Sequence, residues 1–189
     1  MYPGIHATTR ADQPAIIMAT SGTVVTYREY EALSNRLAHL LRAEGLQRGD
    51  HYAIFMENHP WYLPICAAGE RTGLYYTPTN HHLTTEELSY ILENSQSQVV
   101  VTSAAYVDVV RAAMAAAPNV RLCLVADASG PFESVGAARV LPLEETPRAH
   151  ALQEASTVGR SGALAGKIVI EPRSEERRVG KECRSRWSP

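Results

Sequence analysis

The sequence predicts an α/β fold built around a largely parallel sheet. Three observations carry this. Short strand-like runs alternate with amphipathic helical segments from about residue 51 to 126. Some of these runs, such as Val99-Val100-Val101, are wholly apolar, as in strands covered on both faces. Two capping boxes, Thr26-x-x-Glu29 and Thr84-x-x-Glu87, announce helices by satisfying orphan backbone donors at each start.

The elements follow in order. Ala15–Ala19 and Thr23–Thr26 flank Thr20-Ser21-Gly22, which predicts a hairpin with a three-residue loop. Tyr30, Leu33, Leu37, Leu40 and Leu41 recur at helical spacing, so a helix is expected over 27–44, stopped by Gly45. His51–Met56 suits a strand. Asn58-His59-Pro60 starts a second helix that ends at Gly73, and Tyr75–Thr77 forms a short strand before Pro78. The second capping box opens a helix to about Asn94 with Leu88, Ile91 and Leu92 inward. Val99–Val101 is a strand. Ser103 is expected to cap a helix closed by Pro118, and Val120–Val125 is another buried strand. Beyond Ala126 the pattern fades, with Arg139–Leu143 a further strand and little periodicity from Glu144 to Gly166.

Composition narrows the function classes. Of 189 residues, 45% are hydrophobic and 20% charged, a balance that supports a packed core rather than a disordered chain. The N-terminus lacks both a basic start and an apolar h-region, and no apolar run approaches the roughly 18–20 residues of a membrane span, so a cytoplasmic protein is expected. Cys66 and Cys123 lie in apolar stretches without metal-ligand spacing, and an odd total of three cysteines argues against a disulfide framework. Residues 173–189 carry six basic and three acidic side chains; the whole chain is at −2, which leaves −5 on residues 1–172. An acidic body does not suit a phosphate backbone, so no nucleic-acid partner is expected.

No catalytic constellation is complete. The segment Gly159-Arg160-Ser161-Gly162-Ala163-Leu164-Ala165-Gly166-Lys167 is the one phosphate-loop candidate. It fails the Walker pattern because Ser161 replaces the first Gly and Ile168 the magnesium-binding hydroxyl residue. It also fails the nucleophile elbow, since Ala163 replaces the last Gly. A flexible loop is the plainer reading. The seven histidines show no H-E-x-x-H pattern, and the adjacent His81 and His82 point in different directions on any regular element. Glu86 and Glu87 read as the acidic first turn of a helix.

Longer stretches carry more information than any of these motifs. VTYREYEALSNRLAHLLRAEGLQRGDHYAIFMENHP (25–60) resembles the opening of the AMP-forming acyl-CoA synthetases, in the adenylate-forming superfamily. AAGERTGLYYTPTNHHLTTEELSYILENSQSQVVVTS (67–103) is similar to the same family's next block, and MYPGIHATTRADQPAIIM to its fatty-acid–CoA ligase branch. The resemblance covers roughly residues 1–145 and implies an incomplete part of the large N-terminal domain of these enzymes. It implies ATP, Mg²⁺ and CoA as cofactors of the full-length enzyme, with a fatty or other carboxylic acid as substrate. A carboxylate would attack the ATP α-phosphate, giving an acyl-adenylate and pyrophosphate, and the CoA thiol would then displace AMP. The family's hydroxyl-rich phosphate loop is matched here only by the degenerate 161–167 segment, which implies a phosphate role for Lys167 unless that match is chance. Some relatives place a basic residue near the CoA phosphates two positions after an Asn. His82 stands there after Asn80, with surface packing as the alternative.

These readings divide the chain into a partial AMP-binding region (1–145), a poorly assigned stretch (146–172) and a charged tail (173–189). The tail, RSEERRVGKECRSRWSP, has no place in the ligase pattern and resembles translated sequencing-adapter read-through. The expectation is an inactive N-terminal fragment of a ligase. The alternative is a standalone α/β binding or interaction module.

Overall fold

The computed structural model describes residues 4–128 and 132–144. The degenerate loop with Lys167, the 146–172 stretch and the charged tail all lie outside the described residues. A short helix α1 (Gly4–Thr9) precedes an antiparallel hairpin of β1 (Pro14–Ile17) and β2 (Val24–Thr26). The strands are shorter than the apolar runs suggested, and Met18–Thr23 connects them. Hydroxyls reshape that connection: Ser21 Oγ accepts the Thr23 N–H at 3.2 Å and bonds the Thr23 hydroxyl at 2.8 Å.

A five-stranded sheet follows, comprising β3 (His51–Phe55), β4 (Tyr75–Thr79), β5 (Ser97–Ser103), β6 (Leu122–Ala126) and β7 (Arg139–Pro142). Every pairing in it is parallel, in the order β4-β3-β5-β6-β7. The helices are α2 (Tyr27–Ala43), α3 (Tyr62–Thr72), α4 (Thr85–Asn94) and α5 (Val107–Met114). Both capping boxes form as expected, on α2 and α4.

The period-2 geometry of strands explains the two cores. Tyr52, Ile54, Val99, Val101, Leu122 and Leu124 pack in one cluster with Leu37, Leu40 and Leu41 of α2 and Ile65 of α3. Ala53, Phe55, Val100, Cys123 and Val125 pack in the other with Leu88 and Leu92 of α4 and Val110 of α5. Buried Arg71 locks α3 to α2, donating to both Glu31 carboxylate oxygens at 3.2 and 2.6 Å, to Ser34 Oγ at 3.0 Å, and to Asn35.

Three expectations are corrected. β4 runs through Pro78 instead of stopping before it. Tyr75 donates its N–H to Asp50 of the β3 side, so alternation turns the Pro78 nitrogen to the open edge, where no donor is needed. β5 extends past its three valines because its polar ends find partners: Ser97 bonds Ser95, and Thr102 donates to the Phe55 carbonyl at 2.7 Å. Ser103 does not cap a helix. Its hydroxyl donates to Glu57 Oε2 at 2.7 Å, and a 3₁₀ turn (Ala104–Tyr106) leads into α5 instead.

Candidate functional site

Strand order reverses beside β3: the chain leaves it for β4 on one side and returns to β5 on the other. In open α/β sheets the crevice at the carboxyl ends of the strands beside such a reversal is where ligands bind. Here that end collects polar side chains from every strand. Glu57 and His59 follow β3, Thr79 to His82 close β4, Ser103 closes β5, Asp127 follows β6 and Glu144 follows β7.

These groups bond across the rim. Ser103 joins Glu57, as described above. His59, buried, places Nε2 3.0 Å from Asp127 Oδ2, while its Nδ1 accepts the Trp61 N–H at 3.2 Å. Asp127 holds a left-handed backbone at φ 55, and its N–H donates to Glu144 Oε1 at 3.1 Å. Thr79 donates to the Ile54 carbonyl at 2.7 Å. A file of rings runs outward from the core: Phe55 meets Tyr106 edge-on at 5.8 Å, Tyr106 lies 5.3 Å from His81, and His81 lies 4.0 Å from His82.

The arrangement orients groups more than it activates them. The Ser103 hydroxyl is bonded to a carboxylate rather than to an imidazole, and both nitrogens of His59 are engaged, so neither makes a nucleophile–base pair. Burial pushes the Cys123 thiol up to about 12 and also raises Cys66, which leaves both protonated at neutral pH. Among the described residues no group of three His, Cys, Asp or Glu side chains could hold a metal ion. Glu57, Asp127 and Glu144 bring three carboxylates to this rim.

Of the residues singled out from sequence, His82 lies at the edge of the rim. It is exposed, and its backbone N–H donates to Asn80 Oδ1 at 3.0 Å. Lys167 lies outside the described residues. Sequence reasoning missed Glu57, His59, Ser103, Asp127 and Glu144 as site residues. One signal could have found them: each sits within a few positions of the carboxyl end of a parallel strand.

Comparison with known proteins fits this architecture. The family model described as "AMP-binding enzyme" matches residues 5–159. The crotonobetaine/carnitine–CoA ligase of Citrobacter koseri is 35% identical over 98 residues, which cover 50% of this chain and 19% of that protein. The fatty acid–[acyl-carrier-protein] ligase ScoC of Streptomyces coeruleorubidus is 30% identical over 175 residues, 89% of this chain and 32% of that one. The chain thus spans between about a fifth and a third of these relatives' length. A solved structure assigned as a long-chain-fatty-acid CoA ligase, from Rhodopseudomonas palustris CGA009, superposes with a TM-score of 0.62 at 26% identity. That match covers 74% of this chain and 37% of the other. Coronafacic acid ligase of Pectobacterium brasiliense shares the fold, with a TM-score of 0.68 at 16% identity over 76% of this chain and 28% of its own. No helix among the described residues is long and apolar enough to cross a membrane. With its doubly wound parallel sheet and a family match over 155 residues, the chain belongs to the AMP-binding enzyme family.

Proposed function

We propose that this chain forms part of the adenylating domain of a cytoplasmic acyl-CoA ligase, which converts a carboxylic acid, ATP and CoA to acyl-CoA, AMP and pyrophosphate. The observation that carries this reading is the family match over residues 5–159, together with relatives named as CoA or carrier-protein ligases. In such a reaction Mg²⁺ and cationic groups neutralise the phosphates. The acidic rim does not fit that task. The described residues therefore supply scaffold, with His82 as a CoA contact at its edge, and handling of the ATP phosphates falls to segments outside them, with Lys167 as a contact in the degenerate loop. On this reading the 189-residue chain does not catalyse adenylation by itself, and residues 173–189 are read-through rather than enzyme.

The test is acid-dependent pyrophosphate–ATP exchange by the purified chain, with fatty and aryl acids. Background exchange is expected. Exchange well above background would overturn the inactivity.

A second reading, a non-enzymatic module, is favoured by one relative. An uncharacterised protein of Mycobacterium tuberculosis, Rv1549, matches over 114 residues at 30% identity, and that stretch is 65% of its length and 59% of this chain. A protein of similar size therefore carries the same region. Sedimentation separates the two readings: a stable, monodisperse monomer supports the module, and self-association supports the scaffold. The exposed side chains of Ile17 and Val24 on the hairpin suit the scaffold.

A further inference from the structure

The His59 imidazole is held on both sides at the carboxyl rim. Its side chain is 6% exposed, and both ring nitrogens are committed. Trp61 donates its backbone N–H to Nδ1, so Nδ1 carries no proton and the neutral ring must hold its hydrogen on Nε2. That hydrogen faces the Asp127 carboxylate, 68 residues away. The His59 carbonyl also accepts the Tyr62 N–H, so this residue organises the entry into α3, whose N-cap position, Trp61, makes no side-chain cap bond. On the far side, Asp127 is one of two non-glycine residues with positive φ among those described.

We propose that His59 is a proton-operated joint between the first turn of α3 and the connection from β6 to β7. Proton uptake places a hydrogen on Nδ1, where it confronts the Trp61 N–H; that bond breaks and leaves a nearly buried donor without its acceptor. The opposite bond survives and becomes a charged pair with Asp127. Protonation of the ring therefore releases the α3 side and holds the Asp127 side. Among the described residues, the titratable groups at this rim are Glu57 on the same turn, Asp127 after β6, Glu144 after β7, His81 and His82 after β4, and Tyr106 against His81. The inference uses no ligand and stands independently of the ligase reading.

The experiment is ¹⁵N NMR of the full chain with labelled histidine, combined with amide hydrogen exchange, between pH 8 and 5.5. At pH 8, His59 is expected to show an unprotonated Nδ1 and a protonated Nε2. On acidification the Trp61 protection factor should fall on the order of tenfold, as for loss of one hydrogen bond, while the His59 Nε2 stays protonated. His59→Asn keeps an acceptor at the Nδ1 position and should retain Trp61 protection at both pH values while losing the bond to Asp127. His59→Gln, which reaches Asp127 but lacks that acceptor, should leave Trp61 unprotected throughout. A protonated Nδ1 at pH 8, or Trp61 protection indifferent to pH, would overturn the proposal. If neither variant folds, the wild-type titration decides alone.

Discussion

At the amino ends of its parallel strands the chain turns on glycines and is clasped by arginines that reach Glu44; at the carboxyl ends polar side chains from different strands pair with one another. Gly49 and Gly73 both adopt left-handed conformations, and the Gly49 N–H donates to the Gly73 carbonyl at 2.9 Å. Asp50 accepts the Gln47 N–H at 2.7 Å, and Arg121 donates to the Glu44 carbonyl at 2.6 Å. The opposite rim is held by Glu57 with Ser103, 46 residues apart, and His59 with Asp127. One end adds left-handed glycines to its polar contacts, and the other relies on paired polar side chains. The second arrangement gathers polar side chains from several strands at one end of the sheet.

The sharpest way to break this contrast is at Gly69 in α3, close to the amino-end turn. A Cβ there would sit 2.6 Å from the Tyr52 hydroxyl oxygen and 2.9 Å from the Tyr76 ring. Tyr52 cannot yield cheaply, since it is fully buried and donates to the Ile65 carbonyl at 2.6 Å. Gly69→Ala should therefore cost about 2 kcal/mol in urea unfolding despite its better helix propensity. In a Tyr52→Phe background the same change should cost less. Equal costs in both backgrounds would show that the hydroxyl is not the obstacle.

At the other end, Ser103→Ala removes the hydroxyl that donates to Glu57. Glu57 is only half-buried, so water can replace the donor, and a loss of about 1 kcal/mol is expected. If Ser103→Ala proved costlier than Gly69→Ala, the carboxyl rim would be the structural end and the contrast would be reversed.

The contrast also explains what could be read in the sequence. Helix α2 is legible because its capping box and leucines lie within one local stretch, and the amino-end turns are legible because Gly45 and Gly73 announce them. The Pro78 strand is misread because only the sheet order reveals that β4 is an edge. Ser103 is misread because a serine before a helical pattern is locally a cap, and nothing nearby announces Glu57. The rim pairs share no local pattern at all. They become visible only once parallel pairing brings the strand ends together.

The smallest expected effect concerns the helix starts. Glu29 and Glu87 each accept a backbone N–H, from Thr26 and Thr84 respectively, and these bonds, with the threonine hydroxyls, hold both carboxyls below the ordinary range. A depressed carboxyl contributes stability that is complete above the unfolded value, about 4.3, and is lost as pH falls through the folded value. Gln can still serve a capping box but does not titrate. The Glu29→Gln/Glu87→Gln variant should therefore melt slightly below wild type at pH 7, by a margin that stays flat down to about pH 5. That margin should narrow as pH falls through the lowered folded value, where the wild-type carboxyls take up protons too. Both sites are solvent-exposed, so the difference should be small beside the two substitutions above. A gap in melting temperature that did not narrow on acidification would mean that the glutamates act through packing, not charge, and that local capping contributes less to these helix starts than the hydrogen bonds suggest.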